Sequence, residues 1–284
     1  MRRIFIPSSE WLYFKIYTGR KSADDILINT LYPFCSKLIN SNLTDQFFFI
    51  RYSDPDFHIR LRLHVETASN IGPIFKEFYD VITPYVQDGI IWNVQCDTYK
   101  REIERYGHDG IIDAESIFFI DSEAILNLLD KLLESSNPEQ NRWMISLILI
   151  DDILDAYNFS SEEKNVFMKM LSNAYKEEFG FTSNKLTKQL NDKYRNWRQD
   201  IYETISHKKN NVYSEILTWR LEKIGAIGSY YKEKIISKED FVRSLIHMSM
   251  NRLFKSKNRQ FEMVIYEFLY KYYNSELAKM KYTK

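Results

Sequence analysis

Residues 57–66 read FHIRLRLHVE, a strict alternation that only a strand with two unlike faces can satisfy. Successive side chains of a strand point to opposite sides, so Ile59, Leu61, Leu63 and Val65 share one face while His58, Arg60, Arg62 and His64 share the other. The apolar row demands a covering layer. The cationic row does not. Guanidinium and imidazole groups lined up on rigid backbone suit a carboxylate or phosphate that must be held in one orientation, and a solvated sheet face is the plainer alternative. The run before it, residues 47–52, joins through Ser53-Asp54-Pro55-Asp56, whose proline and aspartates are turn chemistry and predict a hairpin.

The segments around this hairpin alternate between the two periods of regular structure. Residues 11–17 (WLYFKIY) read as a strand, with Leu12, Phe14 and Ile16 opposite Trp11, Tyr13, Lys15 and Tyr17. Residues 22–40 read as a helix with an acidic first turn and a kink at Pro33. Residues 69–85 read as a second helix, with Ile74, Phe78 and Ile82 spaced by fours and Pro84 near its end. Residues 89–99 alternate again, predicting Ile90, Trp92, Val94 and Cys96 inward and Asn93, Gln95 and Asp97 outward. The order β-α-β-β-α-β is the ferredoxin-like signature, an α+β fold whose antiparallel sheet has both helices on one side. Lys15, His58, Arg60, Arg62, Asn93 and Gln95 then lie on the uncovered side. From about residue 121 the periodicity is helical, with Ser160-Ser161-Glu162-Glu163 as a helix start and residues 184–211 as an exposed helix ending in a mobile connection at 207–211. The expected division is 1–120, an α+β region, and 121–284, a helical region that completes a cleft over the basic face.

Several function classes lose support on composition. Thirty-nine Lys and Arg balance thirty-nine Asp and Glu across 284 residues, so the chain has no overall drive toward nucleic acid or an anionic surface, and a cationic site must be local. The longest apolar run, MISLILI at 144–150, stops at Asp151 and Asp152, short of the roughly 20 residues that span a bilayer. No signal segment is evident, which makes the cytoplasm the expected location. Cys35 and Cys96 stand alone, without metal-ligand spacing, and read as buried small hydrophobes. Neither a metal nor any other cofactor is expected, since no glycine-rich phosphate loop, nucleophile elbow or HExxH helix appears.

Two further groups carry polar chemistry. TYKREIERYG, residues 98–107, follows the last strand and offers Arg101 and Arg105 toward the sheet face, or a locally paired charged turn with Glu102 and Glu104. RSLIHMSMNRL, residues 243–253, places Arg243, His247 and Asn251 on one helix face. Imidazole, with an unperturbed pKa of ~6.5, is the side chain suited to taking and returning a proton near neutrality. A structural histidine is the alternative.

Taken together, WLYFKIY, FFIRYSDPDFHIRLR, DTYKREIERYG followed by AESIFFIDSE, and HMSMNRL resemble the C-terminal, glutamate-eliminating domain of class I lanthipeptide dehydratases, a domain that also occurs as a separate protein in thiopeptide biosynthesis. The resemblance runs from about Ile4 to the last helices. ERYGHDG departs from the pattern, with His108 where a glycine is expected. The resemblance implies a lyase of bacteriocin biosynthesis that expels glutamate from glutamylated Ser or Thr of a ribosomal precursor peptide, leaving dehydroalanine or dehydrobutyrine. It implies two partners, the glutamylated precursor and a separate glutamyl-tRNA-dependent glutamylating protein, with no direct contact to nucleic acid. By carry-over, Arg60, Arg62 and Arg101 grip the glutamyl group and stabilise charge, and His247 transfers the proton. His58, Lys15, Arg105 and Asn251 support substrate binding, and the choice between Arg101 and Arg105 stays open. Two alternatives are a thiopeptide pyridine synthase of the same fold, joining two dehydroalanines, and a non-catalytic precursor-binding subunit that uses a free sheet edge.

Overall fold

A computed structural model describes residues 1–180, 184–208, 210–228 and 236–282. The strands are β1 (Ile4–Phe5), β2 (Trp11–Thr18), β3 (Gln46–Ser53), β4 (Phe57–His64), β5 (Ile91–Cys96) and β6 (Tyr99–Lys100). The α-helices are α1 (Ala23–Ile26), α2 (Tyr32–Asn40), α3 (Ile71–Gln87), α4 (Ile103–Leu133), α5 (Pro138–Ala156), α6 (Ser161–Glu178), α7 (Asn184–Ser206), α8 (Ser214–Gly228), α9 (Lys238–Leu253) and α10 (Asn258–Tyr282). The class is α+β. Contacts gather these elements into two compact units, Met1–Leu133 with Lys234–Ser256, and Glu134–Glu233 with Lys257–Lys284. This differs from a division at 120/121, because α4 and α9 belong with the sheet.

In the first unit four antiparallel strands lie in the order β3-β4-β2-β5, and a separate two-stranded ladder joins β1 to β6. Leu12, Phe14 and Ile16 face the helices as their alternation requires; Phe14 stacks on Phe78 of α3 at 4.2 Å, and Phe34 of α2 meets the same ring. Proline at position 33 cannot donate to Asn29, and its ring crowds that carbonyl. The chain answers with a π-helical stretch, Leu27–Leu31, that widens the coil just ahead of α2 instead of a sharp kink.

Strand β5 departs from its predicted parity. The register against β2 breaks between Tyr17 and Thr18, so Thr18 faces Ile91. Ile91 is therefore fully buried, while Trp92 is 55% exposed and Ile90 37%. A bulge of this kind flips every side chain beyond it, and no pattern in IIWNVQC marks it. Cys96 is exposed at the sheet edge, whereas Cys35 is buried as expected.

The second face of the sheet is not open along its whole length. At one end Trp11 and Phe48 pack on Tyr99 of β6, and Phe48 meets Phe118 of α4. Two glycines allow this roof. Gly107 breaks α4 at φ 74°, ψ 163°, a conformation that favours glycine. Gly110 lies so close to α9 that a β-carbon there would sit 2.9 Å from the Phe241 ring.

The second unit is helical. Ser160 and Glu163 form a reciprocal capping box at the start of α6 (3.2 and 2.7 Å), as the sequence predicts. The acids that end the apolar run of α5 are buried and compensated. Lys164 binds Asp151 at 2.6 Å, and Lys208 reaches Asp151, Asp152 and Asp155 at 2.7–2.8 Å, so the carboxylate cluster is filled by ammonium groups. Lys208 thus ties down the connection expected to be mobile; Lys209 lies outside the described residues. No helix among the described residues is long and apolar enough to cross a membrane.

Candidate active site on the sheet face

The register of β2 against β4 sets Tyr13 opposite Arg62 and Lys15 opposite Arg60; β5 adds Gln95 beside Lys15 and Asn93 beside Tyr17. Lys15, Arg60 and Arg62 are three cations on neighbouring strands, and like charges directly opposite are unfavourable in a sheet. Asp97 answers them by pairing with Lys15. Burial pushes the Asp97 carboxyl up, but the hydrogen bonds from Lys15 and the Thr98 N–H outweigh it and hold the group below its usual range. Donating to Asp97 in turn raises the pKa of Lys15. The patch therefore carries excess positive charge.

Arg62 is the most unusual member. It is 8% exposed, its Nε is buried without a hydrogen-bond partner, and its Cζ lies over the rings of Tyr13 (4.5 Å), Tyr99 (4.6 Å) and Phe48 (5.2 Å). An aromatic cage stabilises a cation through its ring faces, about 0.5–2 kcal/mol per contact, yet leaves the N–H groups unused. Burial lowers the Arg62 pKa, so the charged form is disfavoured where it sits. Such a group is matched by an arriving anion.

Arg60 is half-buried, lies 3.5 Å over the Tyr52 ring and donates from Nε to His58 Nε2 at 3.1 Å. For Nε2 to accept, the proton of His58 must lie on Nδ1, which meets the Asp56 carbonyl at 2.9 Å. His58 is fully buried. Burial first, then Arg60 and Lys15, lower its pKa and keep it neutral, against the raising effect of the Asp56 carbonyl. His58 therefore aims Arg60 instead of adding a charge. Because the folded pKa is depressed, the neutral imidazole stabilises the fold above about pH 6.5, and that contribution is lost as pH falls through the folded value. Melting of wild type against His58→Gln is expected to show a stability difference that shrinks on acidification over this interval. A pH-independent difference would remove the acceptor role.

Arg101 is placed differently from the arginines of β4. Its Nε and Nη2 bind Glu115 at 2.7 and 2.6 Å, and Nη1 reaches the Arg2 carbonyl at 3.2 Å. All three nitrogens are spent on the protein. Glu115 also accepts from the Tyr99 hydroxyl at 2.8 Å, so Arg101 connects to Arg62 through Glu115 and the Tyr99 ring. Arg105 stands exposed at the start of α4 and pairs with Glu102 at 3.0 Å.

Asn251 is also committed. It accepts from the Arg51 N–H at 2.9 Å and donates to the Arg51 carbonyl at 2.8 Å, taking the place of a neighbouring strand along the outer edge of β3. Ser122 of α4 receives the Phe49 N–H on the same edge at 3.3 Å. Arg252 and Ser249 bind Asp121 and Ser122 (2.9–3.1 Å), locking α9 to α4. His247, half-buried, lies one turn before Asn251 on this clamped helix, beside the strand next to β4. Arg243 of the same face pairs with Asp240 at 2.8 Å and is exposed. Sequence reasoning did not single out Tyr13, Asp97 or Tyr99. Tyr13 carried a signal, since it shares the face of Lys15, but the closure by Asp97 and Tyr99 depends on a turn after β5 that alternation does not report.

Residues 11–273 match the family described as "Lantibiotic biosynthesis dehydratase C-term". The chain belongs to that family. Within curated relatives it is 27% identical over 281 residues to the nisin biosynthesis protein NisB of Lactococcus lactis subsp. lactis, covering 90% of this chain and 26% of NisB. It is 22% identical over 264 residues to the subtilin biosynthesis protein SpaB of Bacillus subtilis, covering 89% of this chain and 24% of SpaB. The lantibiotic dehydratase C-terminal chain thus spans about a quarter of the length of these relatives. Its fold matches the tRNA-dependent lantibiotic dehydratase MibB of Microbispora sp. 107891 with a TM-score of 0.74 at 19% identity, over 96% of this chain and 29% of MibB. It also matches the pyridine synthase TbtD from thiomuracin biosynthesis at 0.66 and 12% identity, over 92% of this chain and 97% of TbtD.

Proposed function

We propose that this domain expels glutamate from glutamylated Ser or Thr side chains of a precursor peptide, leaving dehydroalanine or dehydrobutyrine. The observation that carries the reading is the buried guanidinium of Arg62, whose Nε has no hydrogen-bond partner, beside Arg60 and Lys15, an arrangement suited to a carboxylate that arrives and departs. In the reaction a base takes the Cα proton, the released pair forms the Cα–Cβ double bond, and the Cβ–O bond breaks with its electrons going to the glutamate carboxylate. Arg62 and Arg60 hold the glutamyl group and the developing negative charge, with Lys15 at the rim. His247 transfers the proton. His58 orients Arg60, Arg101 positions Tyr99 beneath Arg62 through Glu115, and Asn251 fixes the helix that bears His247. Arg105 has no role in this scheme. The glutamylated peptide is supplied by a glutamyl-tRNA-dependent partner.

A precursor peptide carrying a chemically installed glutamyl-Ser ester tests the reading. Mass spectrometry after incubation with the protein is expected to show dehydroalanine and free glutamate, and His247→Ala is expected to leave the ester in place. Persistence of the ester with wild type, together with conversion of a dehydroalanine-rich peptide, would replace elimination by synthase chemistry.

A further inference from the structure

The strand β2 brings two polar groups to the cationic face beyond the arginines of β4, and one ring joins them. Tyr13 is 4% exposed, and Arg62 Cζ and Lys15 Nζ lie 4.5 and 5.8 Å from the centroid of its ring. Among the described residues the Tyr13 hydroxyl makes no hydrogen bond. Burial raises its pKa against the pull of Arg62, Arg60 and Lys15, so the hydroxyl keeps its proton and can donate. Lys15 gives one N–H to Asp97, and an ammonium has three. The order of strands fixes where these donors stand. Neighbouring strands lie ~4.8 Å apart in the order β3-β4-β2, with Tyr13 opposite Arg62 and Lys15 opposite Arg60. The helix α9, which bears His247, is clamped by Asn251 along the outer edge of β3.

We propose that Lys15 and Tyr13 bind the side-chain carboxylate of the glutamyl group and thereby select glutamyl over aspartyl and glutaminyl esters, while Arg60 and Arg62 hold the ester carboxyl. The assignment rests on the elimination reading. A glutamyl group delivered from tRNA is esterified through its α-carboxyl, which leaves the side-chain carboxylate as a second anion. In the extended ester the Ser Cα lies roughly 4 Å from the ester carbon, and the side-chain carboxyl carbon lies about 5 Å beyond it. These steps match one strand spacing each. With the ester carboxyl at β4, the Cα falls toward β3 and the helix of His247, and the side-chain carboxylate falls at β2. The reverse placement, ester at β2, would carry the Cα toward β5 and away from α9. An aspartyl group is one methylene shorter and stops about 1 Å short of the β2 donors. A glutaminyl group has the length but no charge, and its NH2 would meet N–H and O–H groups that only donate to it.

The test uses three short peptides that carry a glutamyl, aspartyl or glutaminyl group joined to one diaminopropionate by an amide, so that each binds without turnover. Wild type is expected to bind the glutamyl peptide about 100-fold more tightly than the glutaminyl peptide and about tenfold more tightly than the aspartyl one. Lys15→Met is expected to cut the glutamyl-to-glutaminyl ratio by about tenfold or more. Tyr13→Phe, which keeps the ring beside Arg62, is expected to cut it by about tenfold or less. Lys15→Arg keeps a cation and is expected to retain most of the preference. A side chain that only packs the sheet would weaken all three peptides together and leave the ratio where it was, and that result in both Lys15→Met and Tyr13→Phe overturns the proposal. Equal wild-type affinity for the glutamyl and glutaminyl peptides overturns it as well, whether or not any variant folds. Glutamate release from the corresponding Ser ester is followed in parallel. Release without discrimination removes the assignment of Lys15 and Tyr13 alone, and discrimination without release upholds it while removing elimination.

Discussion

Arg62→Met is expected to melt a few degrees above wild type and to release glutamate ~10²–10³-fold more slowly, with the glutamylated peptide accumulating. The two effects have one cause. Arg62 is a cation kept out of water with no carboxylate hydrogen-bonded to its Nε, and burial depresses its pKa against the weaker pull of Glu102, so the folded protein carries it at a cost. Methionine fills a similar volume and keeps favourable sulfur contacts with Tyr13, Phe48 and Tyr99. It sheds the desolvation of the guanidinium, and we expect a gain of about 1 kcal/mol, or roughly 2–4 °C for a unit of this size. The donors that the proposed function assigns to the glutamyl group disappear with it. A side chain that only packed the sheet would show the reverse, lower melting with elimination intact. Melting curves and mass spectrometry on one preparation distinguish these results, and elimination within a few-fold of wild type would withdraw Arg62 from the reaction.

The four strands of the main sheet and the two helices between them were legible because each carries a clean period and one-sided burial enforces it, whereas the two-residue strands β1 and β6 are too short to show one. The alternation of residues 57–66 located β4 and the face shared by Lys15, Arg60 and Arg62. Parity failed at Trp92, where a bulge opposite Tyr17 and Thr18 leaves no trace in composition. The motifs after the sheet were harder to read. Glu115, Asp121 and Ser122 of AESIFFIDSE meet Arg101, Ser249 and Arg252 across long sequence separations, so much of what resembles an active-site signature is the clamp that fixes α4 and α9 to β3. Polarity on a helix announces a partner without saying whether that partner is substrate or protein. Arg62 and Arg101 look equivalent in the sequence and differ in the structure because one found a buried carboxylate and the other found aromatic rings.

That difference supplies the second large effect. Arg101→Met is expected to lower the melting temperature by about 10 °C, since it strands the Glu115 carboxylate, 2% exposed, with only the Tyr99 hydroxyl for a partner; breaking a buried pair from one side costs about 3–5 kcal/mol. Glu115→Met is expected to do comparable damage by stranding the guanidinium. Removing both charges together, Arg101→Met with Glu115→Met, leaves no orphan and is expected to return the melting temperature close to that of wild type. The activity of the double variant then assigns Arg101. If its task is to hold Tyr99 under Arg62, the ring is still gripped by Trp11, Phe5 and Phe48 once the fold is restored, and elimination is expected to recover to within about tenfold of wild type. If instead Arg101 touches the glutamyl group, the refolded double variant stays as inactive as Arg101→Met alone. A restored fold without restored elimination would therefore move Arg101 from a positioning residue to a catalytic one. It would also require the Glu115 pair to open when substrate binds, because every nitrogen of that guanidinium is otherwise committed.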